Sequence, residues 1–229
     1  MTTQENERFE IVKSVCGLQD YTLQEIYNFI KTGKPYVSQR LDTTPADGVY
    51  LVMRDGVCHR FTGEDIALDN ENPVTGIGVK LGRRALIVSL RDAANGKDLP
   101  LTISNDETAY DGYIETAIDV VADWKGKANT NHLREIGLYP DIELNDDEYI
   151  PSVGEMYLIF THLRELNAAL RYAGGMAISP LFYWTSTESG PVHARLLNLR
   201  SGGLGWGKKT SARTRLRAVR PFYVSNINR

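Results

Sequence analysis

The side chains able to make or break bonds are thinly spread along this sequence. Its histidines are His59, His132, His162 and His193, and no two stand at His-x-x-x-His or other metal-ligand spacing. Each is therefore expected to be structural or on the surface, not a base or a ligand. The thiols, Cys16 and Cys58, show no Cys-x-x-Cys spacing and are too few for a disulfide framework, so they are expected as free thiols or core residues. No serine occupies a Gly-x-Ser-x-Gly elbow. The run GGLGWGKKT at 202–210 has the glycines and lysines of a phosphate loop, but not its spacing, and no helical pattern follows. An acidic stretch with Glu64, Asp65, Asp69 and Glu71 offers oxygen ligands to calcium without the glycine-punctuated spacing of a calcium loop. The expectation is a protein that is not an enzyme, with no catalytic residue, no metal and no cofactor.

What remains is binding chemistry, concentrated at 183–222, YWTSTESGPVHARLLNLRSGGLGWGKKTSARTRLRAVRPF. Tyr183, Trp184 and the hydroxyl run Thr185, Ser186 and Thr187 read as framework at its front. Val219, Arg220 and Pro221 read as a short strand end at its back. Between them, Gly190, Gly202, Gly203, Gly205 and Gly207 interrupt mixed basic and apolar residues, a pattern of short strands joined by exposed loops. From Ser189 onward the charged residues are Arg195, Arg200, Lys208, Lys209, Arg213, Arg215, Arg217, Arg220 and Arg229, with no Asp or Glu. Against a whole-chain charge of -3, that places about -12 on the residues before Ser189. The tract either contacts something acidic or pairs with the acidic remainder of its own domain.

The elements that must position this tract follow from periodicity. Thr22 and Glu25 have capping-box spacing ahead of the stripe Ile26, Phe29 and Ile30, and Gly33 and Pro35 stop that short helix. A linker-like patch at 42–47 then sets the boundary between an N-terminal helical or attachment segment, 1–45, and a domain spanning 46–225. Arg54-Asp55-Gly56 between the apolar runs 48–53 and 57–61 predicts a hairpin, and 76–81 and 84–90 predict a second around Gly82-Arg83. Ile114, Ala117, Ile118, Val121 and Ala122 recur at helical spacing and predict a packed helix over 113–124, closed by Gly126. Asn129-Thr130 is expected to cap a short helical turn with Leu133 and Ile136 inward and Gly137 as its stop. The strongest helix signal starts at Ser152, with Glu155 at capping-box spacing, and runs through Met156, Ile159, Phe160, Leu163, Leu166 and Leu170 to Gly174-Gly175. The order predicts an α+β fold with two main helices packed on antiparallel sheet.

The helix PSVGEMYLIFTHLRELNAALRYAGG, followed by YWTSTE, Ala194, Leu197-Asn198-Leu199, Gly202, Lys208 or Lys209 and VRPF, closely resembles C-terminal domains of C-type lectin-like fold, related in architecture to formylglycine-generating enzyme. GVYLVMRDGVCHRF, TGIGV and DGYIETAIDVVADWKGKANT are similar to that family as found in gut Bacteroidales and their phages. The resemblance spans 48–222 and implies a C-type lectin-like domain. The group includes the variable proteins of diversity-generating retroelements, whose final exposed loops are rewritten at adenine-containing codons. By this resemblance Trp184, Ser186, Thr187, Glu188, Ala194, Gly202, Val219, Arg220 and Pro221 are framework. The rewritten, ligand-facing positions are drawn from Ser189, Gly190, Val192, His193, Arg195, Leu196, Asn198, Arg200, Ser201, Gly203, Gly205, Trp206 and Gly207. Arg195 stands where related chains often carry an aromatic residue, and Leu196 would be an apolar residue on a wet face. The cysteine pair of formylglycine-generating enzymes is missing, and so are the triplets of calcium-dependent lectins; Glu71-Asn72-Pro73 has the wrong order and place.

The resemblance thus implies ligand display, with Trp206 as anchor, as the receptor-binding or adhesion component of a phage or gut bacterium, located on a virion or cell surface. The expected partner is a protein or glycan receptor on a target cell, and a homo-oligomer through the N-terminal segment is compatible with this. The alternatives are a structural subunit of a tail or fimbria meeting its neighbour through the basic tract, or, behind both, nucleic-acid binding by that tract. No signal peptide is seen in MTTQENERFE and no apolar run approaches membrane-spanning length, so no membrane insertion is expected.

Overall fold

Two glycine turns shape the first sheet. In this computed structural model the described residues are 45–222 without 64–67, 69 and 108–109. The Thr22–Gly33 helix signal, Cys16, Glu64, Asp65, Asp69 and Arg229 lie outside the described residues. The chain divides after Thr43, and only the unit beginning at Thr44 is described below. Strands β1 (Gly48–Met53) and β2 (Cys58–Arg60) pair antiparallel, and Gly56 takes the positive φ of +86° that their turn requires. Strands β3 (Val74–Leu81) and β4 (Arg84–Val88) form the second hairpin, with Gly82 at φ +57°. The late strand β8 (Val219–Pro221) closes on β4, giving the order β2-β1-β3-β4-β8.

The helices predicted before the second sheet differ from the sequence reading in three ways. The packed helix over 113–124 is instead a single five-residue turn, α1 (Ala117–Val121), capped by Thr116. Three residues of its stripe face outward: Ile118 is 81% exposed, Val121 and Ala122 are exposed, and Val120 alone of the three apolar residues 118, 120 and 121 is fully buried. Gly126, read as a stop, opens the next helix, α2 (Gly126–Ile136). A Cβ there would stand 2.9 Å from the Ser152 nitrogen, so the glycine serves close packing. Asn129 and Thr130 therefore lie inside α2, buried, while Leu133 points inward and Gly137 ends the helix as expected. Third, the long helix is two, α3 (Val153–Thr161) and α4 (Leu163–Tyr172), broken at His162, whose φ/ψ of -109°/12° leaves the helical region. The Ser152–Glu155 capping box is formed.

Helices α3 and α4 cover one face of the first sheet. Met156, Ile159, Leu166 and Leu170 share a core with Val49, Leu51, Ile77, Val79 and Val88. A smaller cluster of Tyr50, Val52, Cys58, Ile87 and Phe222 lies on the other side, and Gly78 leaves room for the Phe222 ring. The second sheet comprises β5 (Phe182–Glu188), β6 (His193–Asn198) and β7 (Leu204–Lys208), antiparallel in that order. Its own core joins Trp184, Ala194 and Leu196 to Leu99, Leu101, Leu133, Ile150 and Leu216. The architecture is α+β, with two antiparallel sheets and the helices packed against them.

Candidate functional site

The site is built from its frame outward. β5 is locked from several directions: Trp184 Nε1 donates to the Leu99 carbonyl at 2.9 Å, and Tyr183 Oη donates to Asp92 at 3.0 Å. Asp92 also pairs with the buried Arg217, whose remaining nitrogens donate to the carbonyls of Ser89 and Met176. Thr187 Oγ1 donates to Asp123 Oδ2 at 2.6 Å and accepts from the Val153 nitrogen. Asp123 in turn accepts from Asn129 Nδ2 and the Lys125 nitrogen, and its carbonyl accepts from Ser152 Oγ and the Gly154 nitrogen. One residue, through its carboxylate and its main-chain carbonyl together, thereby joins α2, α3 and β5.

A second buried cluster fixes the two ends of the C-terminal tract. Glu188 closes β5 and Lys209 follows β7; their side chains pair with essentially no exposure. His132 Nε2 lies 3.6 Å from Glu188 Oε2 and 2.9 Å from Asp106 Oδ2, Tyr113 Oη donates to Asp106 at 2.6 Å, and Tyr110 stacks on the His132 ring. Burial pushes the Glu188 carboxyl above its ordinary range, against the pull of the Lys209 ammonium. The Tyr113 phenol is pushed up by burial and by its bond to Asp106. These groups pair with one another except at Glu188 Oε2, a buried oxygen with no hydrogen-bond partner among the described residues, and their physical effect is to hold the strand ends in place.

Register divides the hairpin β6–β7 between its faces. Ala194 faces Gly207, and Leu196 faces Gly205, on the inner side; His193 faces Lys208, and Arg195 faces Trp206, on the outer. Leu196 is buried against Trp184 and not on a wet face, and a Cβ on Gly207 would lie 2.9 Å from Ala212. Gly205 lies under the Phe182 ring. Outside, Trp206 is 63% exposed, with the His193 ring edge-to-face at 4.8 Å. Arg195 is half-buried, and its Nη2 donates to the carbonyls of Glu115 at 2.8 Å and Ile114 at 3.2 Å.

The other sequence-derived candidates sit at the two ends of β6, about 17 Å apart by strand rise. At one end Ser189 closes a turn through the His193 carbonyl, with Gly190 beside it, and the Val192 carbonyl accepts from Lys209. At the other, Asn198 Oδ1 accepts from the Arg200 and Ser201 nitrogens, and Ser201 Oγ accepts from Gly203. The structure thus brings His193, Arg195 and Trp206 together on one face and leaves Arg200, Ser201 and Gly203 in a separate exposed turn. Lys208 belongs to that outer face and lies outside the sequence-derived candidates; the alternation 204, 206, 208 is the signal that points to it.

Half of the described cations of the basic tract are absorbed by ion pairs within their own domain. Lys209, Arg217, Arg215 and Arg220 meet Glu188, Asp92, Asp98 and Asp147 respectively, whereas Arg200, Lys208 and Arg213 are exposed without an ion pair among the described residues. Cys58 is buried and its thiol is pushed up to about 11 by burial. Among the described residues no group of three or more His, Cys, Asp or Glu side chains could hold a metal ion, and no helix is long and apolar enough to cross a membrane. No protein-family model matches the sequence, and a search of curated proteins returns no match.

Proposed function

We propose that the chain is a ligand-display protein with a C-type lectin-like fold, of the kind found among variable proteins of diversity-generating retroelements. It binds a protein or glycan receptor on a target cell, without metal, as the receptor-binding or adhesion component of a phage or gut bacterium. The observation that carries this reading is the split within the second sheet and its flanking turns. Trp184, Thr187, Glu188, Ala194 and Lys209 are buried and bonded inward, while Trp206, Lys208 and Arg200 project outward. Outward side chains can change at little cost to stability while such a frame stays fixed. The internal pairing of Lys209, Arg215, Arg217 and Arg220 supports display over nucleic-acid binding or assembly through the basic tract, since both need those cations free.

The test is a triple variant, Trp206→Ala, Arg200→Ala and Lys208→Ala, assayed for attachment to a panel of gut bacterial cells. Attachment is expected to be lost while the melting temperature moves by less than about 2 °C. A large fall in melting temperature would make these residues part of the frame and end the reading. Arg195 is left out because its two carbonyl contacts give it a structural part. Diversification is checked in the flanking DNA, by a second copy of codons 183–222 that differs chiefly at adenines.

A further inference from the structure

Resting on that reading, we infer that the outer face of β6 and β7 takes a saccharide bearing a carboxylate or sulfate. Trp206 is the broad apolar surface here, and β7 is the edge strand of its sheet, so no further strand among the described residues walls it in. The C–H face of a pyranose can lie flat on an exposed indole, burying apolar area on both. The hairpin's own charged side chains around the indole are of one sign. Lys208 stands two residues along the same face without an ion pair, and the Arg195 guanidinium opposite Trp206 meets carbonyls and no carboxylate among the described residues. Nothing acidic occurs in the sequence from Ser189 onward, so an anionic ligand meets no side-chain repulsion from this hairpin.

Other ligand classes fit less well. Four cavities among the described residues, of about 370 to 500 Å³, are lined by other residues, so a ligand of this face lies on a surface. Single-stranded nucleic acid asks for successive stacking aromatics along a cationic groove. Here, among the described residues, one aromatic residue is exposed on the face, so successive bases find no stacking platform. A saccharide with one anionic group per sugar needs only the one ring and the neighbouring cations.

The experiment titrates the whole chain with oligogalacturonate, sialyllactose and a sulfated chondroitin tetrasaccharide. Maltotetraose, a glutamate-rich peptide and an oligothymidylate serve as comparisons, and calorimetry and tryptophan fluorescence as readouts. Expected is saturable binding of at least one acidic saccharide and none of maltotetraose, with Kd raised about tenfold or more by Lys208→Glu and binding abolished by Trp206→Ala. Equal binding of maltotetraose, tighter binding of the peptide or oligonucleotide, or binding that survives Trp206→Ala would each overturn the inference. So would no binding of all three acidic saccharides at about 1 mM. If cell attachment still depends on Trp206 in that last case, the display reading stands and only the ligand class fails.

Discussion

Two glycines of the C-terminal hairpin make opposite demands. Gly207 abuts Ala212 and Trp184, whereas the nearest atom to a Cβ on Gly203 is the Ser201 hydroxyl at 3.1 Å, on an exposed turn. Gly207→Ala is therefore expected to cost about 1–3 kcal/mol in urea unfolding, and Gly203→Ala to change little. Asp123 is the most heavily used polar residue of the frame, and Asp123→Ala should destabilise by about 2–4 kcal/mol because the Thr187 and Asn129 donors lose their buried acceptor. The sequence carries no mark of this: an Asp before Trp124 looks like any helix-end acid, and its partners come from 129 and 187. The buried carboxyls also set a pH dependence. Burial raises both Glu155 and Glu188, so the folded protein keeps protons that the unfolded chain has released. That contribution is complete below the ordinary glutamate value of 4.5 and is lost as pH rises through the elevated folded values. Unfolding midpoints between about pH 4.5 and 8 should show the advantage of the native protein over Glu155→Gln shrinking as pH rises.

Among the elements, those fixed by local chemistry were readable and those fixed by distant contacts were not. Asp55-Gly56 and Gly82 announce their hairpins because a turn needs positive φ at those residues, and Ser152–Glu155 announces a helix start because both bonds lie within one turn. By contrast, Ile118 and Val121 recur at helical spacing yet face solvent. The chain around α1 is tied elsewhere, by the Ile114 nitrogen to the Glu188 carbonyl and by Asp123 to β5. Ile118→Ser should accordingly leave stability within about 0.5 kcal/mol, while Val120→Ala costs roughly 1–3 kcal/mol. Thermal unfolding of the pair distinguishes this arrangement from a packed amphipathic helix. The break at His162 was equally invisible, because apolar residues continue on both sides while the imidazole Nδ1 sits 3.0 Å from the Leu158 carbonyl. Of the candidate site, the tract as a whole was legible from its glycines and charge, but its division into faces needed the β6–β7 register.

At the scale of the molecule, the acidic body and the basic C-terminal tract are complementary parts of one fold. Asp92, Asp98, Asp147 and Glu188 come from the first 188 residues and meet Arg217, Arg215, Arg220 and Lys209 from the last part. Removing the acid from the Glu188–Lys209 pair should be costly: Glu188→Gln leaves a buried ammonium without its counter-charge, an expected loss of about 3–5 kcal/mol in chemical unfolding. The pairing of β8 with β4 carries a further consequence for biosynthesis. Ile87 waits for Arg220, more than half the chain later. While a ribosome is still translating the codons before 219, the β4 margin of the large sheet is bare, a hydrogen-bonding template for any neighbouring nascent chain.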